Sequence, residues 1–367
     1  MPSVSLSARR ITAGVARASS AAVLLSAAAC GLPTSVPDSP IIDTRWIVPS
    51  QSVRFGVDNL LPSTVTIIVP DSSGFNINAA AASITRTLSQ DCSACVALNG
   101  LTAPKPAFVA IANAITSLPS EITGGTFSGG SLQVVVTNNY GFDPLRPNPT
   151  AGSPNGYAII TISSGNSVIG RDSVNGATLA LPSGTTLTRT IPVSGPFTGT
   201  VPLSIAMSLS SPSGEPRFID ASKTLTVTST PSGLKVANVS ISITNKSILS
   251  TATTDLSGFD SKLTDRVKSG ALIVSLANPF TVAGPLTVRL TPEGGTSILK
   301  TVPLIESNST PAPIPFTSAE LRSLLGKKVT IAYSGIVNST TPVNVSPKQV
   351  IVVTTKLDLA IQLGGGS

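Results

Sequence analysis

Gly130-Ser131-Leu132-Gln133-Val134-Val135-Val136-Thr137-Asn138-Asn139-Tyr140 lies over Gly270-Ala271-Leu272-Ile273-Val274-Ser275-Leu276-Ala277-Asn278-Pro279-Phe280 at a constant offset of 140. In both stretches every second residue is apolar: Leu132, Val134 and Val136 in one, Leu272, Val274 and Leu276 in the other. Successive side chains of a strand point to opposite faces, so this period of two predicts a strand with one buried face, and the closing Asn suits a turn. Downstream of each stretch come further strands, then a Ser-Gly element (Ser194-Gly195 and Ser334-Gly335), then a final pair of strands. That pair is 223–227 with 239–243 in the first copy and 349–353 with 357–363 in the second. A repeat longer than 100 residues exceeds any solenoid or propeller unit and points to duplicated domains of sandwich size.

Composition agrees with an all-β class. The chain has 367 residues, 41% of them hydrophobic and 11% charged, with 30 Gly and 30 Pro. It is too apolar for disorder, and its Gly, Pro, Ser, Thr and Val suit short strands joined by many turns. Tandem immunoglobulin-like β-sandwich modules with one short helix are expected. That helix spans 318–325, where Thr317-Ser318-Ala319-Glu320 is a capping box, Phe316 and Leu321 are placed as a hydrophobic staple, and Gly326 stands at the C-terminal cap. Upstream, strands are expected around 41–57, 64–69, 74–78 and 83–88.

The first 30 residues carry Arg9, Arg10 and Arg17, no acid, an apolar run around Ala21–Leu25, and small residues up to Cys30. This is the pattern of a signal peptide, with an apolar run too short to span a bilayer. Domains are therefore expected as a signal peptide over 1–29, Cys30 with a Pro/Ser tether over 30–40, a module over 41–126, sandwich repeats over 127–244 and 245–363, and a flexible tail over 364–367. The segment 247–256 reads as a polar connector within this scheme.

Three cysteines are an awkward number for an exported chain unless one is used separately. With Cys30 set aside, Cys92 and Cys95 form a CxxC pair. One CxxC and no histidine cannot supply four zinc ligands, and the flanking sequence lacks the βαβ setting of a thioredoxin, so the pair reads as a small disulfide loop.

The absence of histidine rules out a Ser-His-Asp triad, a Cys-His dyad and an HExxH zinc site. Asp71-Ser72-Ser73-Gly74 and Asp255-Leu256-Ser257-Gly258 share Asp and Gly with the Asp-Thr-Gly of aspartic proteases, but an extra residue breaks the motif and both read as turns. Ser232-Gly233-Leu234-Lys235 and Ser297-Ile298-Leu299-Lys300 have the bare spacing of a Ser-Lys nucleophile without its helix start. Gly124-Gly125 and Gly129-Gly130 lack the Gly-Lys-Ser/Thr of a phosphate loop and read as turn glycines. Asn238, Asn245, Asn308, Asn338 and Asn344 match the Asn-x-Ser/Thr pattern through compositional bias. No catalytic residue, cofactor or metal ligand is assigned. Without the leader arginines the balance falls from 24 cations against 17 acids to 21 against 17, and with few aromatics this gives no nucleic-acid footprint.

Two resemblances extend this reading. The small residues ending at Cys30 are similar to the lipobox of bacterial lipoproteins, which implies lipidation of Cys30 and a membrane anchor. Ala27 stands where that family usually has Leu, leaving plain cleavage after an Ala-x-Ala pattern as the alternative. The stretch Gly270–Phe280 with its later strands resembles the Asn-Pro-containing sandwiches of the late-embryogenesis-abundant type 2 class, which implies a mostly non-catalytic body and, in some members, contact with lipid. The expected protein is a non-catalytic envelope lipoprotein, on the outer membrane or facing the periplasm, that acts as scaffold or adhesion body. It would be partnered by the membrane and by another envelope protein or a lipid. A binding or transfer protein for lipid or another apolar ligand is the alternative, and a His-independent glycoside hydrolase the remote one.

Overall fold

The computed structural model describes residues 41–150 and 152–364. Along the chain the strands are β1 (Ile42–Gly56), β2 (Val65–Ile67), β3 (Phe75–Ile77), β4 (Ala82–Thr87), β5 (Thr102–Lys105), β6 (Phe108–Thr116), β7 (Ile122–Asn138), β8 (Tyr157–Ser164), β9 (Ser167–Asn175), β10 (Thr185–Pro192) and β11 (Gly195–Thr198). They continue as β12 (Leu203–Ser211), β13 (Gly214–Phe218), β14 (Thr224–Ile241), β15 (Lys246–Asp255), β16 (Val267–Ala277), β17 (Val282–Pro292), β18 (Ile298–Leu304), β19 (Ile314–Phe316), β20 (Lys328–Ser339), β21 (Val343–Val345) and β22 (Val350–Leu363). Helices are short: α1 (Leu88–Asp91), α2 (Ser93–Ala97), α3 (Ser261–Thr264) and α4 (Ser318–Leu324).

These strands make two antiparallel sandwiches of one topology. In the second, β1-β22-β16-β19 faces β15-β20-β17-β18. In the first, β4, β14, β7 and β10 stand in the same order in one sheet and β6-β12-β8-β9 form the other. Taken in chain order, β4, β6, β7, β8, β9, β10, β12 and β14 correspond to β1, β15, β16, β17, β18, β19, β20 and β22. The fold is thus all-β and duplicated, and the whole first sandwich is inserted into the second after its first strand.

The alternation behind the repeat survives as burial: Leu132, Val134 and Val136, like Leu272, Val274 and Leu276, point into cores. Asn138, the last residue of β7, and Asn278, directly after β16, make the same hydrogen bonds. Asn138 Nδ2 donates to the carbonyls of Phe142 (2.8 Å) and Leu181 (2.7 Å), and its Oδ1 accepts from the Tyr140 amide. Asn278 Nδ2 donates to the carbonyls of Val282 (2.8 Å) and Ile305 (2.7 Å), and its Oδ1 accepts from the Phe280 amide. A buried side-chain amide thus does at each corner what no ladder partner can do for these carbonyls.

The pairing revises several expectations. Residues 41–126 form no module of their own: β1 pairs with β22, β2 and β3 extend the sheet beside β14, and β4 and β6 open the first sandwich. The boundary expected near 127 falls inside β7, which runs unbroken through Gly124, Gly125, Gly129 and Gly130. These are strand glycines rather than turn glycines. A Cβ on Gly125 would lie 3.0 Å from the Phe197 ring, and Gly130 has φ +103 where β14 passes it. The supposed connector 247–256 is mostly β15, paired along its length with β20. Each expected final pair is one long strand, β14 or β22, and β14 absorbs its extra residues as register shifts around Ser232–Lys235. The Ser-Gly elements are not equivalent, since Gly195 opens β11 whereas Gly335 lies within β20.

The helix expected over 318–325 is α4. Thr317 and Glu320 complete both arms of the capping box, Leu321 and Leu324 are buried, and Gly326 follows at φ +75.

Between the sandwiches the sheet does not stop. The far half of β14 pairs with the near half of β7, with β3 and with β21, which follows β20 and precedes β22 in the chain. Phe127 stacks on Phe197 here at 4.2 Å between ring centroids.

Candidate functional site

Cys30, the leader and the tether lie outside the described residues, as does the tail from 365 on. Cys92 and Cys95 form a disulfide with 5.1 Å between their Cα atoms. Both are buried, and Cys92 caps α2 by accepting the Cys95 amide. The bridge holds a two-helix corner on the first sandwich, which gives a CxxC spacing a structural use.

Beside this corner is a buried polar cluster. Tyr140 donates its hydroxyl to Asp91 Oδ2 at 2.9 Å, and Arg86 pairs with Oδ1 of the same carboxylate at 2.8 Å. Burial, with Asp91 alongside, pushes the Tyr140 phenol well above its usual range. Tyr140 and Phe142 pack on Phe108, and the amine of Lys105, itself buried, lies 4.8 Å from the Phe108 ring centroid and 5.5 Å from that of Phe142.

Lys105 Nζ donates to Ser211 Oγ at 2.7 Å and to the Pro212 carbonyl, and burial pushes its pKa down to about 7. A lysine of low pKa against a serine hydroxyl is the pairing that Ser-Lys nucleophiles use. Here the Ser211 hydroxyl donates to the Pro144 carbonyl (2.7 Å) and Ser211 is buried, so no reacting carbonyl reaches it. The pair closes the end of the β5-β13 ribbon over the core. Spacing could not reveal it, because the two residues lie 106 positions apart.

The pairs singled out by spacing are kept apart by their strands. Gly233 stands at the shift in β14 with φ +57. Lys300 turns to Glu320 (3.0 Å) and the Phe316 ring, while Ser297 meets Thr291. Asp71 and Asp255 accept the amides of Ser73 and Ser257, as turn aspartates do. Among the described residues no three Cys, Asp or Glu side chains gather as metal ligands would.

The core of the second sandwich is closed. A pocket of about 20 Å³ lies among Leu256, Leu272, Leu324 and Leu357, room for roughly one water against the roughly 300–1,000 Å³ of a ligand pocket. No helix among the described residues is long and apolar enough to cross a membrane.

No protein-family model matches the chain, and no curated protein matches it in sequence. Among solved structures it is similar to a presumed secreted protein from Parabacteroides distasonis ATCC 8503, at 9% identity and a TM-score of 0.32 over 86% of this chain and 99% of that one. It is also similar to the naturally occurring empty particles of Cowpea mosaic virus, at 10% identity and 0.19 over 90% and 91%. Scores this low carry no inference from those proteins to this one.

Proposed function

We propose that this chain is a non-catalytic exported protein, anchored to a membrane of the bacterial envelope through a lipid on Cys30, whose two sandwiches form a stiff spacer or scaffold body. The nested join carries this reading. The chain passes between the sandwiches twice, through 57–81 and through 242–245, and β21, formed in sequence between β20 and β22 of the second sandwich, pairs with β14 in the sheet of the first. A doubly crossed, hydrogen-bonded joint resists bending in a way that a single polar linker does not. The closed core of the second sandwich supports a scaffold over a carrier of apolar ligand between its sheets.

Two measurements test the proposal. Intact mass and membrane fractionation of the wild-type protein and Cys30→Ala should show an acylated, membrane-bound wild type and a soluble, unacylated variant. An unacylated, soluble wild type overturns the anchor. Spin labels at Thr161 in β8 and Thr287 in β17 should give a narrow distance distribution. A broad one, as from a flexible linker, overturns the stiff spacer.

A further inference from the structure

An open groove of about 630 Å³ runs along the outer side of the β8-β9 hairpin of the first sandwich. Its floor follows from strand register: Tyr157 stands opposite Asn175 and Ile159 opposite Ser173, with Arg171 two residues before Ser173 on β9. Thr178 closes one end. Tyr157 is 49% exposed in a chain with only three tyrosines and one tryptophan.

The polar groups of this groove are unevenly charged. Asp172, its one acid, is occupied: Arg189 Nε donates to Oδ2 at 2.6 Å, Arg189 Nη2 to Oδ1 at 3.2 Å, and the Ser173 amide to Oδ1 at 2.8 Å. Arg171 is exposed and has no ion-pair partner among the described residues. Asn175 is held by its oxygens, Oδ1 accepting the Ala177 amide and its carbonyl the Thr178 hydroxyl, so its two side-chain N–H groups remain available as donors. Arg146 donates to the Gly176 and Ala177 carbonyls and fixes this end of the hairpin.

The groove therefore offers an exposed aromatic face, an uncompensated guanidinium, an amide donor and hydroxyls from Ser173 and Thr178, with the carboxylate neutralised. An aromatic face takes the C–H face of a sugar ring, a guanidinium takes a carboxylate through a two-pronged hydrogen bond, and amide and hydroxyl groups take ring hydroxyls. We infer that the β8-β9 groove binds an acidic saccharide, one bearing a carboxylate on the ring, as in a uronic or sialic acid. The duplication supplies an internal contrast, for the matching hairpin of β17 and β18 contains no Phe, Tyr or Trp. The inference is independent of how the chain is anchored.

Calorimetric titration of the full-length protein in detergent with trigalacturonate, a hyaluronan tetrasaccharide and sialyllactose tests it. At least one should bind, its methyl ester or neutral counterpart at least roughly 10-fold more weakly, a difference of about 1.4 kcal/mol. Tyr157→Ala and Arg171→Ala should each weaken binding at least about 10-fold without lowering the melting temperature, and Arg289→Ala on β17 should leave it unchanged. Absence of binding by all three probes overturns the inference. So does equal binding of the neutral forms, or an affinity that Arg289→Ala reduces as much as Arg171→Ala.

Discussion

At the scale of single residues, Asn138 and Asn278 hold equivalent corners of the two sandwiches. Replacing either by Ala leaves two carbonyls and one amide without their partner, and buried groups so orphaned cost about 1–3 kcal/mol each, less than additively. Asn138→Ala and Asn278→Ala should each destabilise the protein by about 3 kcal/mol, read as a lower urea midpoint, and a loss confined to one of them would break the equivalence. Lys105 makes a second prediction. Its folded amine releases a proton near 7, whereas an unfolded lysine keeps it to about 10.4. Between those values the unfolded state binds more protons, so stability rises with pH through that window and the cost of the buried charge is full below it. Lys105→Met should remove this rise, about 3 kcal/mol after allowing for the carbonyl and ring contacts that hold the charged form. Urea titrations of both proteins from pH 6 to 10 check it, and parallel curves would show that Lys105 keeps an ordinary pKa.

The elements were unevenly legible. α4 could be read from Thr317, Glu320 and Gly326 because a cap is a local device whose partners lie within four residues. β15 read as a connector because Ser247, Leu249, Thr251 and Thr253 on its outer side mask the few inward residues, of which Ile248 is the one large buried side chain. The glycines of β7 read as turns because a glycine is equally at home in a loop and where a strand needs positive φ. Gly129 and Gly130 separate these needs. Gly130→Ala would place a Cβ 2.4 Å from the Gly233 carbonyl oxygen at φ +103, whereas a Cβ on Gly129 meets nothing within 4 Å. Gly130→Ala should therefore cost about 2 kcal/mol or more, and Gly129→Ala should be neutral or stabilise by up to about 1 kcal/mol. Thermal melts of the two variants compare them directly.

For the whole molecule, the nesting of one sandwich in the other predicts how damage spreads. β1 contributes Val53 and Phe55 to the buried core, and Arg45 on β1 forms an ion pair with the largely buried Asp358 on β22, holding that carboxyl below its usual range. A chain starting at residue 57 should lose hydrogen-exchange protection in β22 and β16 while keeping it in β12 and β8, although both of these lie far nearer the cut in sequence than β22 does. Loss in the first sandwich with β22 intact would instead describe a separate module over 41–126.

By itself the sequence determined the all-β class, the faces of most strands, the capped helix, the cysteine pair and the copied Asn corner, because each rests on side chains acting within a few residues or on a period read directly. The tertiary structure alone decided which strand lies beside which: the passage of β1 into the second sandwich, the continuous β14, the Lys105–Ser211 contact and the polar groove beside Tyr157. Strand pairing is made by backbone amides and carbonyls that are the same in every residue, so a strand's pattern states which face it buries but not whose edge it meets.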